Sequence, residues 1–160
     1  MTDLRDPAHH VSPRARWMWL VTTAVQGMVA VVVVGVVAVL WIPTPWRWLA
    51  MAATLACAVA ALVAVPRWRY LVHRWEASTT AVYTQRGWWS RERRIAPMSR
   101  VQTVDFEQGP LARFFGLASV TVTTASAAGP LRIDGLDAPV ALRLVEELTR
   151  KADLAEGDAT

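Results

Sequence analysis

Residues 20–40, LVTTAVQGMVAVVVVGVVAVL, contain no charged side chain, and a second apolar run, LAMAATLACAVAALVAV, follows at 49–65. A bilayer hydrocarbon core about 30 Å thick needs about 20 apolar residues in a helix rising roughly 1.5 Å per residue. The first run meets that length, and the second sits at the short end of the workable range. Two adjacent runs of this kind make the chain a membrane protein with a small non-membrane remainder.

The flanks agree with that reading. Trp17 and Trp19 precede the first run, Trp41 follows it, Trp46 and Trp48 precede the second, and Trp68 follows it. Indole joins an apolar body to one N–H donor, so it is most stable at headgroup level. These six tryptophans are therefore the expected interface anchors. Arg5, Arg14 and Arg16 lie before the first span, Arg47 alone lies between the spans, and Arg67, Arg69 and Arg74 follow the second. Short flanks rich in arginine stay cytoplasmic. The chain is thus expected to be multi-pass in the cell membrane, with both termini in the cytoplasm and the Ile42–Arg47 turn outside. Pro43 and Pro45 suit that turn, because each removes a backbone donor. The expected hairpin covers 17–66, with spans at about 18–41 and 48–65. A cleaved signal peptide would have an apolar region of about 7–15 residues and a small-residue cleavage site, whereas this run is longer and ends in Leu40-Trp41-Ile42.

Gly27, Val31 and Gly35 recur every four residues in the first span, as do Ala53, Cys57 and Ala61 in the second. Small residues let helices approach in lipid. Packing within the hairpin and an oligomer interface both fit this stripe, so the oligomeric state stays open. Cys57 is the single cysteine, which rules out an intrachain disulfide. Neither span holds an ionisable group, as an ion path or proton relay would require.

The remaining expected parts are an N-terminal tail at 1–16, a domain at 67–151 and an acidic tail at 152–160. Residues 66–100 hold eight arginines and two acids, a net of +6; residues 101–160 hold five bases and nine acids, a net of −4. The basic half adjoins the membrane, where anionic lipid attracts each charge by about 1 kcal/mol close to the surface. Nucleic acid would be drawn by the same charge, but no helix-turn-helix or aromatic RNA platform accompanies it.

Strand signals follow one another. Thr80–Gln85 and Trp88–Ile95 flank a turn at Arg86-Gly87, Val101–Glu107 is a third strand, and Leu111–Phe115 is a helical turn between Pro110 and Gly116. Ser119–Thr124 alternates valines with threonines, Ala128-Gly129-Pro130 turns into Leu131–Asp134, and Asp137 opens a helix at Ala138–Lys151. That helix carries an apolar stripe of Val140, Ala141, Leu144, Val145 and Leu148. The pattern is α+β: a bent antiparallel sheet covered by one C-terminal helix.

The Gly87 hairpin, the Ile95-to-Val104 segment with Pro97, Arg100, Val101 and Gln102, the Gly109-to-Gly116 segment with Leu111 and Phe115, and the Thr123-Thr124-Ala125 strand end together resemble the bacterial pleckstrin-homology-like (PH-like) domain found beside transmembrane hairpins. The resemblance spans nearly all of the non-membrane part. It implies a seven-stranded bent barrel capped by a C-terminal helix, no enzymatic activity and a role at the cytoplasmic membrane face. The strands named above number five against seven, which suggests a further short strand near Arg67–Glu76.

His9 and His10 are adjacent in the expected mobile tail and His73 is distant, so no metal-ligand spacing arises. No phosphate loop, nucleophile elbow or HExxH pattern occurs, and Asp105 and Glu107 read as a solvated strand face. No catalytic residue, metal or cofactor is expected. The candidate lipid-headgroup contacts are Arg67, Arg69, Arg74, Arg91, Arg93 and Arg94, since guanidinium groups take phosphate in bidentate fashion; Trp88 and Trp89 could pack in the core or dip into the interface. Two roles fit. One is a scaffold that docks another membrane protein, a related PH-like protein among the candidates. The other is a module that senses anionic membrane lipid through its basic half.

Overall fold

The computed structural model describes residues 6–87, 91–126 and 129–157, with only the backbone at 153 and 155–157. Arg5, the Trp88-Trp89 pair with the expected strand start, Ala128 of the expected turn and the end of the acidic tail lie outside the described residues. The chain forms two compact units, one of Arg16–Trp68 and one of Met1–Ala15 with Arg69–Thr160.

In the first unit, helices α1 (Ala15–Trp41) and α2 (Trp46–Val72) form a hairpin, both long and apolar enough to cross a membrane. Val29, Val32, Val36, Leu55 and Val59 are each more than half exposed, as befits surfaces whose natural cover is lipid. Of the small-residue stripe, Gly27 makes the close approach: a Cβ there would lie 3.2 Å from Cβ of Ala58. Gly35 has nothing within 4 Å and Cys57 is exposed. The partner of Gly27 is therefore Ala58, not a member of the stripe expected in the second span. Trp17, Trp41, Trp46, Trp48 and Trp68 are 44–81% exposed. Trp19 departs from the expected anchors, since it is buried at 3% exposure and its carbonyl accepts the Thr23 hydroxyl at 2.7 Å.

The second span is expected to end at 65, just before Pro66, yet α2 runs through the proline to Val72. Proline removes one donor and disfavours a helix interior, but it does not force an end where the residues on both sides remain helical. The His73 N–H closes the helix on the Arg69 carbonyl at 2.9 Å.

The second unit holds two antiparallel sheets. The first pairs β1 (His9–His10), β2 (Arg74–Ala77), β3 (Ala81–Arg86) and β4 (Glu92–Pro97) in that order. The second pairs β5 (Val101–Glu107), β6 (Leu117–Thr124) and β7 (Leu131–Asp137) in that order. A 3-10 turn at Met98–Arg100 joins the sheets, and α3 (Pro110–Phe114) links β5 to β6. Gly116 ends α3 with φ +67, a conformation open to glycine at little cost, and its N–H reaches the Arg113 carbonyl at 3.0 Å.

Strand β2 is the strand suspected near Arg67–Glu76. Strand β1 is a correction: residues 6–15 are not a free tail but part of this unit. His9 pairs with Trp75 and His10 with Arg74. Ser12 is buried, donating its N–H to the Gly135 carbonyl at 2.8 Å and its hydroxyl to the Asp137 carboxylate at 2.9 Å. Two residues cannot show a period-two pattern, so the pairing has no sequence signal. The expected acidic tail also differs, because α4 (Ala138–Gly157) carries helix through most of it.

The core lies between α4 and both sheets. Val120, Val122 and Leu148 are fully buried and Leu144 is 3% exposed, packed with Val82, Ala96, Met98 and Ile133. Leu→Ala at such a site typically costs about 2–5 kcal/mol, a large share of the stability of a small domain. Leu144→Ala is therefore expected to leave the protein in the membrane while making residues 69–157 markedly more sensitive to protease, measured on membrane vesicles against wild type.

Candidate functional site

Strand β4 is the last strand of its sheet, and it carries two of the arginines singled out from sequence. Strand alternation sends them to opposite faces. Arg93 lies opposite Gln85, donates to Gln85 Oε1 at 3.0 Å and pairs with Asp6. Gln85 is itself buried and donates to the Val72 carbonyl at 3.4 Å. Arg94 turns to the other face, donating to Glu92 at 2.5 Å and to the Pro130 carbonyl at 3.0 Å. Arg86 reaches the same Glu92 from β3 at 3.1 Å. Arg94 and then Arg86 hold the Glu92 carboxyl below the usual carboxylate range.

Between β4 and the connection from β6 to β7 lies a cleft of about 370 Å3. Its wall includes Arg93, Arg94 and Arg100 together with Thr124, Ser126 and Leu131, and among the described residues no acidic residue lines it. The structure thus brings Arg93 and Arg94 to one cleft and adds Arg100 from the 3-10 turn. Arg74 sits in register with Gln85, one strand away from Arg93. Arg91 is exposed just before β4, Arg69 is on the last turn of α2, and Arg67 belongs to the membrane unit. Arg100, Thr124 and Ser126 were not singled out as contacts. Thr124 and Ser126 lie 24 and 26 positions after Arg100, and the pairing of β5 with β6, Val101 opposite Thr124, makes them neighbours.

Elsewhere, Arg132 bridges Glu107 and Asp134, each at 2.7 Å, and Ser119 donates to Asp134 at 2.9 Å. Asp134 foremost raises the pKa of Arg132. The acidic strand face is therefore tied partly to β7, with Asp105 accepting from Thr103 at 3.2 Å. The histidines are drawn into the fold: His9 packs on Trp75 and His10 stacks on Tyr70, with ring centroids 5.3 and 5.5 Å apart. Among the described residues no group of His, Cys, Asp or Glu is placed to hold a metal.

With the hairpin, the two sheets and the capping helix established, the matching span decides the family: residues 15–152 match the Bacterial PH domain. The chain belongs to that family. It is also 30% identical over 156 residues to the UPF0699 transmembrane protein YdbS of Bacillus subtilis (strain 168), covering 95% of this chain and 97% of that protein. No solved structure matches. In this bacterial PH domain protein, residues ahead of the first helix are part of the PH-like unit.

One titratable group reports on that unit. His73 is buried, and its Nδ1–H donates to the Arg69 carbonyl at 2.7 Å. Burial foremost lowers its pKa from 6.5, so the folded protein favours neutral imidazole. Below 6.5 the unfolded chain takes up the proton more readily than the folded one, so stability falls as pH drops and is complete above 6.5. His73→Gln is expected to flatten that slope, read as the protease resistance of residues 69–157 between pH 7.5 and pH 5.

Proposed function

We propose that this protein is a non-enzymatic, membrane-anchored docking subunit whose PH-like unit holds another membrane protein at the cytoplasmic face. The observation that carries the reading is Phe114, 82% exposed on α3. Its ring stands edge-on to Phe115 at 5.2 Å, and Pro110 and Gly116 set the ends of this short helix. Phenylalanine is enriched in the buried centres of protein interfaces, and covering such a side chain is worth about 1.5–3 kcal/mol. Two spans confine the unit to a membrane surface, which raises its effective concentration toward other membrane proteins. A photo-crosslinking residue in place of Phe114, in the full chain in its native membrane, is expected to give a discrete protein adduct. Adducts to lipid alone, or none, would refute docking through α3.

The cytoplasmic placement is supported by the arginine asymmetry, with Arg14, Arg16, Arg67, Arg69 and Arg74 flanking the hairpin against Arg47 in its turn. That the two flanks share a side is supported by residues 6–15 and 69–157 forming one folded unit, which requires both to occupy one compartment. Reporter fusions at Thr44 and after Thr160 should therefore report opposite sides, with the C-terminal fusion cytoplasmic; an exported C-terminus would reverse the orientation.

Sensing of anionic lipid is the second reading, favoured by the arginine-lined cleft beside β4. It calls for the full chain as sample. A fragment starting at residue 76 would lack β1 and the first half of β2.

A further inference from the structure

We infer that the cleft along the outer edge of β4 binds a phosphate group, carried either by a lipid headgroup or by a soluble phosphate compound. The inference deepens the second reading above in its lipid form and is independent of docking through Phe114.

The composition of the cleft points to the ligand's chemistry. Three arginines, Arg93, Arg94 and Arg100, line it with the hydroxyl-bearing Thr124 and Ser126, and among the described residues no acidic residue does. Arginine suits phosphate because its planar fork offers several parallel N–H donors. The volume of about 370 Å3 is in the range of small-ligand pockets, about 300–1,000 Å3. Two of the arginines are already held in place. Arg93 is held by Gln85 and Asp6, and Arg94 by Glu92 and the Pro130 carbonyl. Such fixing reduces the side-chain entropy lost when an anion arrives. Arg100 is exposed on the 3-10 turn, and its own carbonyl accepts the Ala125 N–H at 3.1 Å, which ties the arginine's turn to the opposite wall.

The edge of β4 also supplies backbone donors. It is a terminal strand, and alternate N–H groups of a terminal antiparallel strand point away from its neighbour. Addition of a peptide strand would use the same edge, but Pro97 and the paired arginines are features that blunt an edge against strand pairing. The cleft is therefore suited to a compact anion more than to an extended chain.

The test uses the full chain in two arms. In one, inorganic phosphate is titrated calorimetrically into protein held in neutral phosphatidylcholine nanodiscs. In the other, native mass spectrometry compares retention of phosphatidylglycerol and phosphatidylcholine by detergent-solubilised protein. Saturable binding in the first arm identifies a soluble phosphate ligand; preference for phosphatidylglycerol with no response to phosphate identifies a headgroup. In the positive arm, Arg100→Gln is expected to weaken binding about tenfold, as loss of a charge-assisted hydrogen bond does. Thr124→Val should weaken it about threefold, and unchanged melting temperatures would show both variants folded. Binding in neither arm, or binding that neither variant alters, overturns the inference. The Phe114 adduct is scored in Arg100→Gln as well, so failure of docking and failure of the cleft are read separately.

Discussion

The contact between α4 and the sheets beneath it is the interaction on which the PH-like unit depends. Leu144 and Leu148 enter the same core as Val120 and Val122 of β6, with Val82 and Ala96 of the other sheet and Met98 of the connecting turn. Burying one such side chain is worth about 1.5–3 kcal/mol, against a net stability of about 5–15 kcal/mol for a typical domain. The helix also does something geometric. Because both sheets share one core, the end of β4 and the connection between β6 and β7 are fixed relative to each other. The cleft between them is a consequence of that packing.

A second constraint comes from the bilayer. Backbone groups in hydrocarbon must be satisfied within their own segment, so a membrane crossing of this length is a helix. Two crossings return the chain to the side on which it started. Residues on either side of the hairpin can then pair, and they do: β1 completes the edge of β2, while Ser12 reaches Gly135 and Asp137. Segments more than 60 positions apart in sequence become one folded unit through a purely topological condition.

The ion pairs play a smaller energetic part. Arg93 with Asp6, Arg94 and Arg86 with Glu92, and Arg132 with Glu107 and Asp134 are all partly exposed. Exposed pairs contribute about 0–1 kcal/mol. Strand alternation sets the face each arginine of β4 serves, and the pairs hold the side chains there.

The sequence by itself determined the hairpin, the order of most strands and the amphipathic last helix. Each rests on a local signal: apolar length for the spans, valine–threonine alternation in β6, and a helical stripe from Val140 to Leu148. Hydrophobic periodicity is read along the chain, so these features were legible without neighbours. Strand β1, the passage of α2 through Pro66, the burial of Trp19 and the grouping of Arg100 with Thr124 and Ser126 were not. Two residues of strand carry no period, and proline only biases a helix toward ending. The depth of an indole depends on what packs over it. The cleft is a meeting of residues from β4, a turn and two later strands, and a one-dimensional pattern cannot specify such a meeting. The β5–β6 ladder and the shared core under α4 bring those segments together.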